Sequence, residues 1–356
     1  MTIEAPDVVV VGLGPAGSRA AAAAAAGGAR VVALERREEA GRPVQCAEFV
    51  PALLDQEVAG LAPVTVQTIE RMLTFVEEDA ADETPNFPGR MIDRADFDRL
   101  LADRAAKAGV ICRYGVSAVA VARDGTIHVS DGSRLRPRLL IGADGPRSRV
   151  GAAFGAINHA LVETRQVTVP LFRPHDATDI FLRADYVGGY AWLFPKGSVA
   201  NLGLGFDAKS SSRLKPLLIE LQRQLVAEGR IGGEVSCLTG GAIPVGGRRA
   251  AVGAIGDLPV LLTGDAAGLT NPVTGAGIAA AVQSGTMAGA AAARWLGGQR
   301  CALADYEEEL ADLFDAALSC ARRQRTALLA CYREGATPTP SALRRGWIAY
   351  PQYWAA

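Results

Sequence analysis

Three short apolar runs, each followed by a glycine-rich turn, recur along the chain. They are Val8–Val11, Leu139–Ile141 and Val260–Leu262. Uninterrupted apolar runs of this length indicate strands buried on both faces, as in a parallel sheet covered by helices. Alanine-rich segments of helical character follow the first and the third run. The pattern therefore predicts an α/β fold with a Rossmann-like domain.

The pattern changes between residues 166 and 206, where longer segments of β type are separated by short turns. The predicted turns, at 188–189 and 196–197, contain glycine, so the strands that they join run antiparallel. Three aromatic side chains alternate along one of these strands and share one face of it: Tyr190, Trp192 and Phe194. These features predict a second domain built on an antiparallel β-sheet.

Helical and hairpin signals account for much of the remaining chain. Asp93 is the predicted N-cap of a helix that runs to Lys107. An Asp-Gly pair at 124–125, between two strand-like runs, predicts a hairpin. Further helices are predicted over 211–228, in an alanine-rich segment ending at Trp295, and as a pair over 305–332.

The first glycine-rich turn, Gly12-Leu13-Gly14-Pro15-Ala16-Gly17, has a physical reason for each glycine. Gly12 permits the tight turn out of the strand, Gly14 lets a pyrophosphate approach the backbone, and Gly17 lets helix and strand pack closely. The helix N-terminus then offers free N–H groups to the phosphates. Glu35 ends the next strand, 23 residues after Gly12, where a carboxylate accepts a hydrogen bond from a ribose. The turn predicts dinucleotide binding; a glycine-rich turn in another kind of α/β domain is the alternative.

The other two glycine-rich turns each carry an acid. Gly142-Ala143-Asp144-Gly145 follows the second apolar run, and Gly264-Asp265 follows the third. Because cofactors lie at the carboxyl ends of parallel strands, both turns are candidate cofactor contacts. Gly275 and Gly277 then stand at the start of a long helix, where backbone N–H groups face an electron-rich group.

Composition excludes several classes of protein. Hydrophobic residues make up 49% and charged residues 21%, as in a globular protein, and the net charge of −1 gives no basis for nucleic-acid binding. The segment Leu258–Ala293 is nearly free of charge, but its glycines and prolines argue against a membrane span. The start MTIEAPD has no features of a signal peptide. Six scattered cysteines without a CxxC pair fit a reducing cytoplasm and argue against a zinc site.

Together the three motifs resemble those of FAD-dependent oxidoreductases with the p-hydroxybenzoate hydroxylase type of fold. They are most similar to the geranylgeranyl reductase family, because GDAAGLTNPVTGAGI at 264–278 and Tyr190-x-Trp192-x-Phe194-Pro195-Lys196 match the reductase version. The resemblance implies a discontinuous FAD-binding domain, a substrate domain and a helical C-terminus. Their expected ranges are 1–64, 91–155 and 255–300 for the first, 65–90 and 156–254 for the second, and 301–356 for the third.

The resemblance also implies which residues hold the cofactor and the substrate. In the family the first motif binds the ADP half of FAD, the counterpart of Asp265 binds the ribityl or pyrophosphate region, and a helix dipole reaches the flavin. The expected FAD contacts are Gly12, Gly14, Pro15, Ala16, Gly17, Glu35, Arg36, Cys46, Ala47, Arg94, Asp144, Gly264, Asp265, Pro272, Gly275, Ala276, Gly277 and Ile278. The expected lining of the substrate pocket is Tyr190, Trp192 and Phe194, and an aromatic stripe of the protein core is the alternative interpretation of these residues.

Cys46 and Arg94 also have a plainer alternative. Cys46 lies in the loop where archaeal members of the family carry a cysteine near the flavin, and a neutral thiol can donate a proton, so it is the candidate catalytic acid. An ordinary buried small residue is the other interpretation of Cys46. For Arg94, in the first turn of its helix, the alternatives are a cofactor contact and a solvated arginine.

The favoured function is reduction of carbon–carbon double bonds in an isoprenoid or lipid-like substrate by hydride from N5 of reduced flavin. A flavin-dependent monooxygenase that hydroxylates or halogenates an aromatic or peptidyl substrate is the alternative, and a binding protein without activity is a third. No second GxGxxG motif is present, so NAD(P)H would bind transiently; ferredoxin is the other candidate electron donor.

The segment Ser341–Ala356, called the tail below, mixes aromatic and cationic residues. That mixture suits peripheral contact with a membrane or packing across the substrate domain.

Overall fold

The structure, a computed structural model, describes residues 3–333 and 336–355. The predicted domain ranges also contain residues outside the described ones: Met1, Thr2, Glu334, Gly335 and Ala356. The described strands are β1 (Val8–Val11), β2 (Val31–Leu34), β3 (Phe49–Pro51), β4 (Thr65–Ile69), β5 (Arg71–Val76), β6 (Asp82–Thr84), β7 (Gly89–Ile92), β8 (Ile111–Arg113), β9 (Ala118–Val121), β10 (Ile127–Val129), β11 (Arg134–Leu135), β12 (Leu139–Gly142), β13 (Leu161–Pro170), β14 (Ala177–Leu182), β15 (Tyr190–Lys196), β16 (Val199–Asp207), β17 (Cys237–Thr239), β18 (Ala242–Pro244), β19 (Val252–Ile255) and β20 (Leu258–Leu262). The described α-helices are α1 (Pro15–Ala26), α2 (Leu54–Glu57), α3 (Arg94–Lys107), α4 (Arg149–Ala153), α5 (Leu214–Ala227), α6 (Ile278–Leu296), α7 (Ala302–Ala330), α8 (Pro340–Arg345) and α9 (Pro351–Trp354).

A six-stranded sheet contains all three apolar runs, as predicted. Its order is β19-β20-β12-β1-β2-β8, with parallel pairing from β20 to β8 and an antiparallel edge strand, β19. Every residue of β1, β2 and β12 is buried, which is why these strands read as unbroken apolar runs. The three glycine-rich turns follow β1, β12 and β20, so they meet at one edge of the sheet.

Helices α1 and α6 pack at backbone distance because α6 carries glycines where it meets α1. A Cβ built on Gly285 would lie 2.2 Å from the carbonyl oxygen of Ala16, and one on Gly289 would lie 2.2 Å from that of Ala20. Neither position accepts a side chain without displacing a helix. The small residues on both helices therefore determine how deeply α6 sits on the sheet.

An eight-stranded sheet forms the second layer and has the order β17-β13-β16-β15-β14-β5-β6, with β18 also paired to β13. The pairing is antiparallel except between β14 and β5, which run parallel. Helix α5 covers one face with a stripe of leucines that includes Leu218, Leu221 and Leu225. This arrangement confirms the predicted antiparallel sheet and adds one parallel pair that the pattern did not indicate.

Two three-stranded sheets complete the described strands. One, β11-β10-β9, contains the hairpin predicted at Asp124-Gly125, and Gly125 has the positive φ of +82° that such a turn requires. The other, β3-β7-β4, packs against β15 of the eight-stranded sheet and against α6. It takes strands from the ranges expected for both domains, so the domain division stays a prediction.

The structure confirms the helices predicted from local sequence features, with one exception. Asp93 caps α3, since its carboxylate accepts a hydrogen bond from the backbone N–H of Asp96 at 3.0 Å. The helix pair predicted over 305–332 was wrong, because α7 runs unbroken over 29 residues. Its sequence contains no glycine or proline to end the first helix, so helical hydrogen bonding continues throughout.

None of the helices among the described residues combines the length and the apolar character that crossing a bilayer requires.

A buried acid on β14 makes the stability of the eight-stranded sheet depend on pH. Asp179 has no solvent exposure and pairs with Arg230, and its Oδ1 lies 3.3 Å from Nε2 of His175. Burial lowers the pKa of His175, but the hydrogen bond and the charge of Asp179 outweigh it, and the net pKa is raised. The protonated imidazole therefore stabilises the folded state below its unfolded pKa, and this contribution is lost as pH rises through the folded pKa.

We expect His175→Gln to lower the free energy of unfolding by about 1–2 kcal/mol at pH 5.5 and by much less at pH 8.5, because a hydrogen bond between charged groups is lost only at the lower pH. Thermal unfolding of the FAD-loaded protein at both pH values measures this. The matched control is His159→Gln, at an exposed histidine. An equal loss at the two pH values would contradict the assignment.

Candidate active site

The three glycines of the first motif have three different environments. Gly12 has φ of +99°, and a Cβ there would lie 2.4 Å from the carbonyl oxygen of Ala143. A Cβ on Gly17 would lie 1.8 Å from the carbonyl oxygen of Gly12, whereas one on Gly14 would meet nothing within 4 Å. Gly14 is also the N-cap of α1 and supplies no side-chain cap. Open space thus lies in front of uncapped helix N–H groups, which is the environment that a pyrophosphate requires.

Glu35 is buried at the end of β2 and is tied to the first motif. Its Oε2 accepts a hydrogen bond from the N–H of Leu13 at 2.9 Å, and its Oε1 accepts one from the N–H of Arg37 at 3.1 Å. A carboxylate has about four lone-pair positions, so capacity remains for a hydroxyl donor. Arg36, the next residue, is exposed.

The Asp144 carboxylate stabilises the turn in which it lies by local hydrogen bonds. Its carboxylate accepts hydrogen bonds from the Ser148 hydroxyl at 2.5 Å and from the backbone N–H groups of Arg149 at 2.7 Å and Val150 at 3.2 Å. These bonds hold the chain where α4 begins. The sequence alone did not distinguish this local role from a direct cofactor contact.

The third motif lies against the first. Gly264 has φ of +60°, and a Cβ there would lie 2.9 Å from the Cβ of Ala16. Asp265 lies beside the start of α6, since a Cβ on Gly277 would be 3.1 Å from its Oδ1. Gly277 is the N-cap of α6 and, like Gly14, provides no side-chain cap. Two uncapped helix N-termini therefore converge with Asp265 at the edge of the six-stranded sheet.

The Asp265 carboxylate has one hydrogen-bond donor among the described side chains, the Thr270 hydroxyl at 2.7 Å. Burial raises its pKa, and the Thr270 hydrogen bond and the charge of Arg94 act in the opposite direction. A desolvated carboxylate with a single donor is suited to accept further hydrogen bonds from hydroxyls. The other expected contacts in this segment, Pro272, Gly275, Ala276 and Ile278, lie in the loop and at the first turn of α6.

Arg94 is partly buried, with 18% of its side chain exposed, and its pairing with Asp98 favours the cofactor side of the two alternatives over a solvated arginine. Its guanidinium binds the Asp98 carboxylate at 2.7 and 3.2 Å, and Asp98 is only 4% exposed. The Asp98 and Cys46 partners raise the pKa of Arg94 against the effect of burial. The charge of Arg94 also lowers the pKa of Asp265 in the third motif, and its backbone N–H binds Glu48, two residues after Cys46.

Cys46 is partly buried, and its thiol faces charged and aromatic neighbours. The backbone N–H of Glu48 donates to Cys46 Sγ at 3.1 Å, and Ala47 lies between them. Burial, and then the proximity of Cys46, raises the pKa of Tyr190, whose hydroxyl donates to the carbonyl oxygen of Thr274 at 2.5 Å. Tyr190 therefore joins the strand of the predicted substrate pocket to the third motif.

A buried ion pair beside Cys46 was missed at the level of sequence. The Glu48 carboxylate accepts hydrogen bonds from Lys196 Nζ at 2.8 and 2.9 Å, from Asn201 Nδ2 at 2.8 Å and from the backbone N–H of Arg94 at 2.9 Å. From the sequence, Lys196 was expected only as the last residue of the aromatic motif 190–196. No periodic pattern links Glu48 to Lys196, because 148 residues separate them.

The aromatic face, defined as Tyr190, Trp192 and Phe194 on β15, is covered by the tail. Trp347 packs on Tyr190 with 4.8 Å between ring centroids, and Leu343 joins the same apolar cluster. A small cavity remains there, with a mostly apolar lining that includes Leu182, Tyr190, Val273, Leu328, Leu343 and Trp347. The aromatic face is thus an apolar surface next to Cys46, and Leu343 and Trp347 of the tail cover part of it.

The tail packs across the eight-stranded sheet. Arg344 pairs with Asp79 at 2.8 Å and Asp82 at 3.1 Å, while Trp347 and Tyr353 are buried. Trp354 remains exposed, with 66% of its surface accessible. This placement favours the packing alternative over the lipid-facing one for most of the tail.

Comparison with known proteins identifies the family. A family model described as lycopene cyclase protein matches residues 7–183. Digeranylgeranylglycerophospholipid reductase 1 of Methanococcoides burtonii is 34% identical over 81% of this chain and 74% of its own length. The digeranylgeranylglycerophospholipid reductase of Methanocaldococcus jannaschii is 31% identical over 85% of this chain and 79% of its own. The chain belongs to the geranylgeranyl reductase family of FAD-dependent oxidoreductases.

Solved structures confirm the fold of this family member. A geranylgeranyl bacteriochlorophyll reductase-like protein of Thermoplasma acidophilum superposes with a TM-score of 0.83 at 24% identity, covering 99% of this chain and 98% of that one. A probable FAD-dependent monooxygenase of Pseudomonas aeruginosa gives 0.71 at 19% identity, covering 96% and 98%. At these identities the likeness shows a shared fold, common to reductases and oxygenases.

FAD is the cofactor that the family implies, and the edge of the six-stranded sheet fits it. The open space at Gly14, the spare acceptor capacity of Glu35 and Asp265, and the uncapped start of α6 match a pyrophosphate, hydroxyl groups and a flavin edge. The next two variants test this fit.

We expect Glu35→Ala to weaken FAD binding about ten- to a hundred-fold, because a hydrogen bond to a charged group is worth about 1.5–3 kcal/mol. Fluorescence titration of the apoprotein with FAD measures the dissociation constant. Glu39→Ala, at an exposed glutamate four residues further on, is the control. Unchanged affinity in a folded Glu35 variant would remove the ribose assignment.

We expect Asp265→Ala to fold but to be largely colourless after purification, because the hydroxyl groups of FAD lose a buried acceptor. Absorbance at 450 nm against protein concentration gives the occupancy, and circular dichroism reports folding. Asp257→Ala, in the exposed turn between β19 and β20, should keep its FAD. A variant that cannot fold even with excess FAD would make Asp265 a structural residue first.

Proposed function

We propose that this protein reduces carbon–carbon double bonds of an isoprenoid lipid with bound FAD. The observation that carries the proposal is the position of Tyr190. Its ring belongs to the aromatic face, its hydroxyl donates to Thr274 in the third motif, and its apolar cluster includes Ala47, the residue that follows Cys46. An apolar surface, the loop that carries Cys46 and the FAD segment thus adjoin at one side chain. The relatives named as digeranylgeranylglycerophospholipid reductases support the same class of substrate.

We propose that the FAD contacts are those expected from the sequence, with two differences of role. Arg94 acts from a buried pair with Asp98, and Asp144 acts through the turn that it holds. When bound, FAD supplies the hydride of the reduction. The remaining tasks, which are binding the lipid, excluding water and delivering a proton, fall to residues of this chain.

The aromatic face would bind the apolar chain of the substrate. Trp192 and Phe194 are each 6% exposed, and contact with them removes water from a double bond lying against β15. A dry site strengthens every electrostatic interaction inside it. Leu343 and Trp347 of the tail move or repack to make room, since they now occupy part of this surface.

Cys46 is the proposed proton donor. Addition of one hydride and one proton across a double bond requires an acid near the second carbon, and a thiol at neutral pH is a donor. Among the described side chains near the aromatic face, Tyr190 is a poorer acid because burial raises its pKa well above the ordinary range. Arg94 and Lys196 are engaged with Asp98 and Glu48.

The electron donor belongs to the proposal as well. With one GxGxxG motif in the chain, NAD(P)H would reduce FAD during a transient encounter, and ferredoxin is the other candidate. Anaerobic mixing of the FAD-loaded protein with each donor, followed at 450 nm, distinguishes the two.

The function is tested by anaerobic photoreduction of the bound FAD, followed by addition of a geranylgeranyl lipid. We expect reoxidation of FAD and a product heavier by two mass units for each double bond reduced. A saturated lipid of the same length is the control. Reoxidation only by oxygen, coupled to modification of an aromatic substrate, would replace the proposal with the monooxygenase.

We expect Cys46→Ser to retain FAD and its reduction by the donor, yet to slow lipid-dependent reoxidation about ten-fold or more, because general-acid catalysis contributes about 10²- to 10⁴-fold. Stopped-flow absorbance measures the rate. Cys112→Ser, at a partly buried thiol on β8, is the control. Wild-type reoxidation in the Cys46 variant would exclude the thiol as the acid.

A further inference from the structure

The turn Cys46–Glu48, called the Cys46 turn below, is held by side chains of the eight-stranded sheet. Gln166 on β13 donates from Nε2 to the carbonyl oxygen of Cys46 at 3.0 Å. Asn201 on β16 donates to the carbonyl oxygen of Ala47 at 3.2 Å. Two successive carbonyl groups are therefore satisfied by side chains from another layer of the protein. Leaving such groups unpaired would carry a desolvation cost.

The backbone of the Cys46 turn needs this support. Glu48 has φ of +71°, in the left-handed region that residues with a Cβ rarely adopt. The conformation persists because the surroundings determine it: Lys196, Asn201 and the N–H of Arg94 all bind the Glu48 carboxylate. In this conformation the Glu48 N–H points at Cys46 Sγ. The hydrogen bonds that hold Glu48 therefore also fix the position of the Cys46 thiol.

Gln166 makes a second contact that connects the Cys46 turn to the aromatic face. Its Oε1 accepts a hydrogen bond from Trp192 Nε1 at 2.9 Å. Gln166 is 4% exposed and Trp192 is 6% exposed, so solvent does not compete for either bond. Because an indole can only donate and a carbonyl can only accept, the two partners fix the orientation of the amide. One side chain thereby joins the substrate surface to the candidate acid.

We propose that Gln166 is a positioning residue, which holds the Cys46 thiol in a fixed relation to the aromatic face through its two hydrogen bonds. The inference rests on the proposed function for the role of Cys46. The placement of the thiol is measurable without any substrate, so the two proposals fail separately.

The test is the rate at which iodoacetamide alkylates Cys46 in the FAD-loaded protein, followed by mass spectrometry of the peptide. We expect Gln166→Leu to alkylate at Cys46 at least five-fold faster than wild type, because the released turn exposes the thiol. The exposed Cys237 and Cys301 should react at unchanged rates. Gln224→Leu is the matched control, since Gln224 on α5 also donates one side-chain hydrogen bond, to Glu228, and accepts one, from Arg183.

Trp192→Phe keeps the Gln166–Cys46 bond but loses the indole donor. It tests the proposal if Gln166→Leu does not fold, and we expect Cys46 to react at least two-fold faster. Unchanged reactivity of Cys46 in the folded variants would overturn the proposal. So would equal acceleration at Cys112 and Cys320, which would show general loosening of the protein.

The kinetic signature separates positioning from structural support. We expect Gln166→Leu to lower kcat for the lipid about ten-fold while KM changes less than three-fold. We expect Gln166→Glu to recover none of that kcat, because its carboxylate still accepts from Trp192 but cannot donate to the carbonyl oxygen of Cys46. A change confined to KM would place Gln166 in the substrate pocket and overturn the positioning role. If wild-type protein reduces no isoprenoid lipid, the function fails, while the alkylation rates still decide the role of Gln166.

Discussion

Backbone contact between the first glycine-rich turn, α1 and α6 is the constraint on which the site depends. Gly17 lies against Gly12, and Gly285 lies against Ala16, at distances where no Cβ fits. Ala16 also touches Gly264, so the third motif is brought against the first turn of α1. The uncapped ends of both helices, and Asp265 with them, consequently converge on one region. Larger side chains at these glycines would separate the groups that have to act on one ligand.

The site combines an apolar surface with charged side chains that are neutralised by ion pairing with neighbouring residues. Arg94 is paired with Asp98 and Lys196 with Glu48, and each carboxylate is nearly inaccessible. Buried ion pairs add little to stability, but breaking one by removing a partner is costly. The pairs therefore hold loops in place without leaving a net charge near the apolar substrate surface. A neutral, dry environment of this kind suits a reaction in which an uncharged double bond becomes a saturated bond.

The parts of the fold that are determined by residues close together in the sequence could be predicted from it. The strands Val8–Val11 and Leu139–Gly142 are buried on both faces, so their composition alone identified them. The Asp93 cap and the Gly125 turn likewise follow from local chemistry. The helix pair predicted over 305–332 failed because α7 contains no glycine or proline that would end a first helix before Ala330. The Glu48–Lys196 pair and the Trp347–Tyr190 contact join distant segments, and no local pattern carries that information.

The order of strands in the six-stranded sheet has a consequence for how the protein is made. Strand β1 lies between β2 and β12, and β12 pairs with β20, whose residues come more than a hundred positions later in the chain. Contacts between such distant segments form slowly, because the intervening chain must be ordered first. On the ribosome, the pyrophosphate turn emerges more than two hundred residues before Asp265 and the start of α6. The residues that capture FAD are therefore complete only late, and one side of β12 has no partner until β20 is made, more than a hundred residues later.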